Sequence, residues 1–252
     1  MSGLMAAILV AGVAIAGLGL VYFLFFSPSS QVFGYFPSRV RTQQRIIALT
    51  FDDGPNEPYT TQLLDILSAH RVAATFFLVG KCLELAPAVG RRIVSEGHSV
   101  GNHSYSHSFR HYFTQPSFRN EVERTQRVVV EVLNVRPTLF RPPWLFRQPW
   151  LLATLKRTGL TPVSGEFGDE LEPFQPSAAR IVRRALSKVE PGAILIFHDG
   201  VEARGGDRSQ TVRAIDLLIP ELRSRGYSFA TVEDLLRITN QERAGMADPL
   251  LD

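Results

Sequence analysis

The stretch Ile46-Ile47-Ala48-Leu49-Thr50-Phe51-Asp52-Asp53-Gly54-Pro55 decides how this chain is read. Four apolar residues lead into two adjacent carboxylates, and a Gly-Pro turn follows at once. A short apolar run bounded by turn residues predicts a buried strand, here over residues 45–52. A carboxylate pair at the mouth of such a strand is costly unless a metal, hydrogen bonds or chemistry use it. Neighbouring strand residues point to opposite faces. Asp52 and Asp53 can therefore serve one site only where the strand ends and the backbone turns, and Gly54-Pro55 supplies that turn. The pair predicts two different tasks, such as metal ligand and base.

Three further signals lie downstream. His103-Ser104-Tyr105-Ser106-His107 places two imidazoles four residues apart. On a helical turn that spacing shares one face and can hold one metal. With one carboxylate it makes a set with open positions, suited to zinc hydrolysis or to non-haem iron chemistry. Ile194-Leu195-Ile196-Phe197-His198-Asp199-Gly200 is a second apolar run that delivers polar groups at its carboxyl end, where the active sites of α/β folds gather. Phe140-Arg141-Pro142-Pro143-Trp144 holds an Arg in a stiff, extended loop, placed to clamp a carboxylate.

Taken in order, these motifs resemble the polysaccharide deacetylases of the nodulation-protein type, carbohydrate esterase family 4, over residues 45–240. The resemblance implies an amide hydrolase that removes acetyl groups from an N-acetylated glycan such as peptidoglycan, a chitin oligomer or an exopolysaccharide. It also implies roles. Asp52 is the expected base, Arg141 orients it, and Asp53, His103 and His107 bind the metal. His198 is the expected general acid, with Asp169 tuning it. The Trp144 backbone N–H is the expected oxyanion donor, and Ile196 stands where a Leu usually lines the acetyl-methyl pocket. The implied cofactor is a divalent metal: zinc by ligand type, with cobalt, nickel, iron and manganese as alternatives. The chain departs from the family pattern twice. Trp144-Leu145 stands where Tyr-Gly is usual, and Glu170 stands where a Trp usually follows Asp169. Two competing readings follow from these departures: a small-amide hydrolase of the same fold, and a decayed deacetylase that only binds glycan.

The chain has 252 residues, 45% of them hydrophobic, enough for one large α/β domain. Residues 4–26 are apolar and uncharged, long enough to span a bilayer. They lack the basic start and the small-x-small cleavage site of a signal peptide, so an uncleaved anchor over residues 1–26 is expected. Arg39, Arg41 and Arg45 follow the span and would favour an inner location for the domain. A polymeric substrate favours the outer face, and the domain is expected there. Cys82 is the only cysteine, so no intramolecular disulfide forms. A net charge of +3 without a dense basic tract speaks against a nucleic-acid partner. Nothing in the sequence specifies an oligomer.

Residues 27–44 read as a linker and residues 241–252 as a mobile tail. Between them strands and helices alternate. Strands are predicted at 45–52, 72–79, 98–102, 138–141, 160–166, 193–198 and 227–231. Helices are predicted at 59–70, 83–96, 117–133, 149–158, 178–189, 209–224 and 232–239. Repeated strand–helix units imply a parallel sheet. The resemblance selects a distorted (β/α) barrel of about seven parallel strands, preceded by one N-terminal transmembrane helix.

Overall fold

The computed structural model describes residues 3–246. After the N-terminal helix α1 (Gly3–Phe25), β1 (Ile46–Asp52), β2 (Thr75–Leu78), β3 (Ser99–Asn102), β4 (Leu139–Phe140), β5 (Thr161–Pro162), β6 (Glu166–Phe167) and β7 (Ile194–His198) form one parallel sheet. Its order is β5-β4-β3-β2-β1-β7-β6, and β8 (Ser228–Phe229) pairs with the start of β1. The helices are α2 (Tyr59–His70), α3 (Gly80–Leu85), α4 (Pro87–Ser95), α5 (Gln115–Leu133), α6 (Leu151–Thr158), α7 (Ala178–Leu186), α8 (Ser209–Ser224) and α9 (Val232–Met246). This is the expected α/β architecture, an open half-barrel.

The period-2 alternation of β1 builds two layers. Ile47, Leu49 and Phe51 join Phe76, Leu195, Phe197 and residues of α2, α7 and α8 in the large outer core. Ala48 joins Phe77, Val163 and Ile194 in a smaller cluster on the other face. Burying each large apolar side chain contributes about 1.5–3 kcal/mol. The same alternation continues to Asp52, on the face of Ala48. The register sets Asp52 level with Phe77 of β2 and with His198 of β7. Strand ends with one polarity thus gather the polar groups at one mouth.

Several boundaries differ from expectation. The helix predicted over 83–96 is two helices, broken at Ala86, whose backbone leaves the helical region (φ −128°, ψ 56°) just before Pro87. The strand predicted over 160–166 is two short pieces, β5 and β6. Residues 241–246, predicted as tail, continue α9, while 247–252 lie outside the described residues.

Residues 27–44 are no loose linker. Ser30 and Phe36 are buried, and the Gln31 side chain brackets the Phe36 backbone at 2.7 and 2.9 Å. The Ser164 N–H donates to Pro37 O, and Arg39 bridges to Ala193 beside β7. Arg147, fully buried, donates to the carbonyls of Ser27 and Pro28 and to Ser164 Oγ, while its own N–H donates to Phe25 O. A buried guanidinium needs partners for its donors, and here backbone just past α1 takes both terminal nitrogens, while Nε has no partner. Tertiary contact therefore orders a Ser- and Pro-rich segment that local composition reads as loop.

Candidate active site

The carboxyl ends of β1, β3, β4 and β7 surround a cavity of about 780 Å³. Asp52, Asp53, His103, His107, Trp144 and His198 line it, as expected, together with Glu170, whereas Arg141, Asp169 and Ile196 do not. At its base, Asp53 Oδ1 lies 3.3 Å from His103 Nε2 and 3.0 Å from His107 Nε2. The His103 Nδ1 sits 2.7 Å from Arg141 O. A carbonyl only accepts, so Nδ1 carries the proton and the His103 Nε2 lone pair faces the cluster. Asp53 Oδ1 has no hydrogen-bond partner. The three groups are buried with their ligand atoms within 4.8 Å of one another. Ligands about 2.0–2.1 Å from one tetrahedral ion stand about 3.3 Å apart, so the donor set fits a divalent metal. Burial works to raise the Asp53 carboxyl, but the His107 charge and the close approach of both imidazoles outweigh it and hold it well below the usual carboxylate range.

Local backbone makes this convergence possible. Asp53 is left-handed at φ 77°, which swings it to the side of Asp52. Gly54 follows because a Cβ there would lie 1.9 Å from Asp199 Oδ2. The two imidazoles do not sit on a helical turn as the spacing suggested. They lie on the loop after β3, where Ser104 (φ 64°) and His107 (φ 49°) are left-handed. Asn102 Oδ1 accepts the Ser104 N–H at 2.9 Å and helps set that loop. The Glu202 N–H donates to Asp53 Oδ2 at 3.0 Å, and the Trp144 indole reaches Glu202 Oε1 at 3.1 Å.

Arg141 is fully buried and donates from one nitrogen to Asp52 Oδ1 and Thr50 Oγ1, both at 2.7 Å, and from another to Ser164 O at 2.8 Å. Phe77 packs under the guanidinium, 4.0 Å from ring centroid to Cζ. This is the expected clamp: it fixes Asp52 Oδ1.

The partner of His198 differs from expectation. Asp169 accepts from Arg180 Nε at 2.8 Å and from the Leu171 N–H at 3.0 Å, and so supports the turn before α7. Glu172 takes the place assigned to it: its Oε2 lies 2.6 Å from His198 Nδ1, and its Oε1 accepts from Thr211. Burial lowers the His198 pKa, but the Glu172 charge and hydrogen bond more than offset this and push it up to about 9. Four carboxylates crowd Glu166–Glu172, and spacing alone does not reveal which one reaches the imidazole; the acid directly before Pro173 was the only local cue. Ile196 lies on the His198 face of β7, one alternation deeper, and Leu145 and Val201 line the cavity instead. Glu170 is held on the rim by Arg184 and Lys188.

Residues 39–163 match the family model for polysaccharide deacetylases. A peptidoglycan-N-acetylglucosamine deacetylase of Bacillus cereus is 34% identical over 205 residues, 81% of this chain and 94% of that one. A chitooligosaccharide deacetylase of Bradyrhizobium is 36% identical over 199 residues, 76% of this chain and 90% of that one. A crystal structure of a peptidoglycan N-acetylglucosamine deacetylase superposes with a TM-score of 0.73 at 30% identity, covering 78% of this chain and 90% of that one. With this extent of likeness in sequence and in fold, the chain belongs to the polysaccharide deacetylase family.

Proposed function

We propose that the chain hydrolyses the acetamide of an N-acetylated glycan to acetate and a free amine. The observation that carries this reading is the three-acceptor cluster of Asp53, His103 and His107 with Asp52 and His198 beside it at one mouth. A divalent ion held by those three residues supplies Lewis-acid polarisation of the acetyl carbonyl and of the attacking water. Zinc is the ion of choice for two imidazoles and a carboxylate, with cobalt, nickel, iron or manganese as substitutes.

The protein groups supply the rest. Arg141 occupies Asp52 Oδ1, which leaves Oδ2 to take a proton from water as its oxygen attacks the carbonyl carbon. The Trp144 backbone N–H is the proposed second donor to the oxyanion. His198 is protonated at neutral pH because Glu172 holds its Nδ1–H, and its Nε2–H passes to the sugar nitrogen as the C–N bond breaks. The products are acetate and the amine. α1 is the proposed anchor, with the domain on the outer face where polymeric glycans lie.

Glu172→Gln tests the acid. Loss of the carboxylate charge lowers the His198 pKa from about 9, so the imidazole loses its proton at lower pH. The alkaline limb of the kcat/KM profile is expected to move toward acid by at least about one pH unit. An unmoved limb contradicts the assignment of Glu172. The reaction itself is tested by offering N-acetylglucosamine oligomers, peptidoglycan and small acetamides to the zinc-loaded chain. Acetate from the glycans is expected; turnover of the small amides alone would favour the other amide-hydrolase reading.

A further inference from the structure

The catalytic cavity is walled partly by α1. Tyr22 and Phe26, from the last turn of the N-terminal helix and just beyond it, line it together with the metal cluster and His198. That contact is built in. Phe25 stacks on Phe146 at 5.8 Å and Phe26 meets it tilted at 5.0 Å, and buried Arg147 binds the carbonyls of Phe25, Ser27 and Pro28. No residue of α1 itself is buried, so the helix projects from the mouth and touches the domain only at its end.

The length of α1 fixes what lies at that mouth. Its 23 residues have a mean hydropathy of 2.6 over their most apolar window. At about 1.5 Å per residue they extend about 35 Å, against a hydrocarbon core of about 30 Å. With α1 in a bilayer, Tyr22 and Phe26 stand at the interface, where Tyr is favoured. The cavity they line then opens at the membrane surface. The rim supports the same placement. Phe174, 82% exposed, lines the cavity, and Phe113, 68% exposed, stands on Phe109, which packs on Phe146 and Trp144. Exposed aromatics gathered on the side where the span emerges suit a bilayer interface, and in water they carry a solvation cost.

We propose that the substrate is an N-acetylated sugar borne on a membrane lipid, its acetamide at the metal cluster and its apolar chain leaving past Tyr22, Phe26 and Phe174 into the bilayer. The inference rests on the deacetylase reading and names the substrate class of that same site. A headgroup at the bilayer surface reaches this mouth directly. The chemistry is unchanged: water adds to the carbonyl, the C–N bond breaks, acetate leaves, and the amine stays on the lipid-borne sugar.

The test uses the full, zinc-loaded chain in phosphatidylethanolamine–phosphatidylglycerol vesicles. It compares hexadecyl N-acetylglucosaminide in those vesicles with a soluble N-acetylglucosamine pentamer. The lipid-borne substrate is expected to be favoured at least about tenfold in kcat/KM. Phe113→Asp and Phe174→Asp are each expected to lower the ratio of lipid-borne to soluble turnover at least about fivefold. Faster turnover of the pentamer, or a ratio unmoved by either variant, overturns the lipid-borne substrate and leaves the deacetylase reading intact. Acetate from neither substrate overturns both.

Discussion

Asp52→Asn is expected to lower kcat by about 10²–10⁴-fold, the range that a positioned general base contributes. Asn keeps the shape of the side chain, and its amide oxygen still accepts from Arg141, so the clamp and the cavity persist. What it loses is the basic oxygen left free by that clamp, since Arg141 binds Oδ1. It also leaves a fully buried guanidinium without its counter-charge. A cost of about 1–3 kcal/mol in stability is therefore expected, and the assay belongs well below the melting transition. Single-turnover kinetics alongside far-ultraviolet circular dichroism separate the two effects. A folded, metal-loaded Asp52→Asn protein with near wild-type turnover would remove Asp52 from the chemistry.

Asp53→Ala has the other large effect, and a different signature. The variant keeps both imidazoles but loses the one anion on which they converge at 3.0 and 3.3 Å. A bound divalent ion supplies several kcal/mol of transition-state stabilisation, so its loss costs at least about 10³-fold in rate. The ion also binds only the folded state and so raises the apparent stability. A chelator is expected to lower the melting temperature of the wild-type chain and to leave that of Asp53→Ala unchanged. Equal metal content in the two proteins, measured by elemental analysis, would contradict the assignment of the cluster.

Much of this site was legible because its residues stand at the ends of strong apolar runs. Ile46–Leu49 and Ile194–Phe197 announce strands, and a parallel register then sets Asp52 and His198 side by side. Arg141 was legible because two prolines stiffen the loop that carries it. What escaped depends on tertiary contact. Glu172 belongs to a loop whose four carboxylates differ only in which neighbour they meet, and Asp169 was the nearer motif match. Arg147 has no local signature, because its acceptors lie at residues 25–28. The His103–His107 spacing suits a helical turn, and only left-handed Ser104 and His107 make it a loop. Residues 27–44 look like a spacer by composition, and their order comes from the groups they touch. The contact of Tyr22 and Phe26 with the cavity was hidden for the same reason: an apolar span shows its length in sequence, not what its end leans on.

On the proposed mechanism, Asp53, His103 and His107 hold one divalent ion beside a base and an acid that together cleave an acetamide. One measurement addresses all of it: acetate and free amine released from an N-acetylglucosamine substrate, titrated against zinc added to the metal-stripped chain. Equal amounts of acetate and amine are expected, with activity that rises to a plateau at one zinc per chain, and none of either product from Asp53→Ala. Full activity in the metal-stripped chain, or acetate without a matching amine, would contradict it.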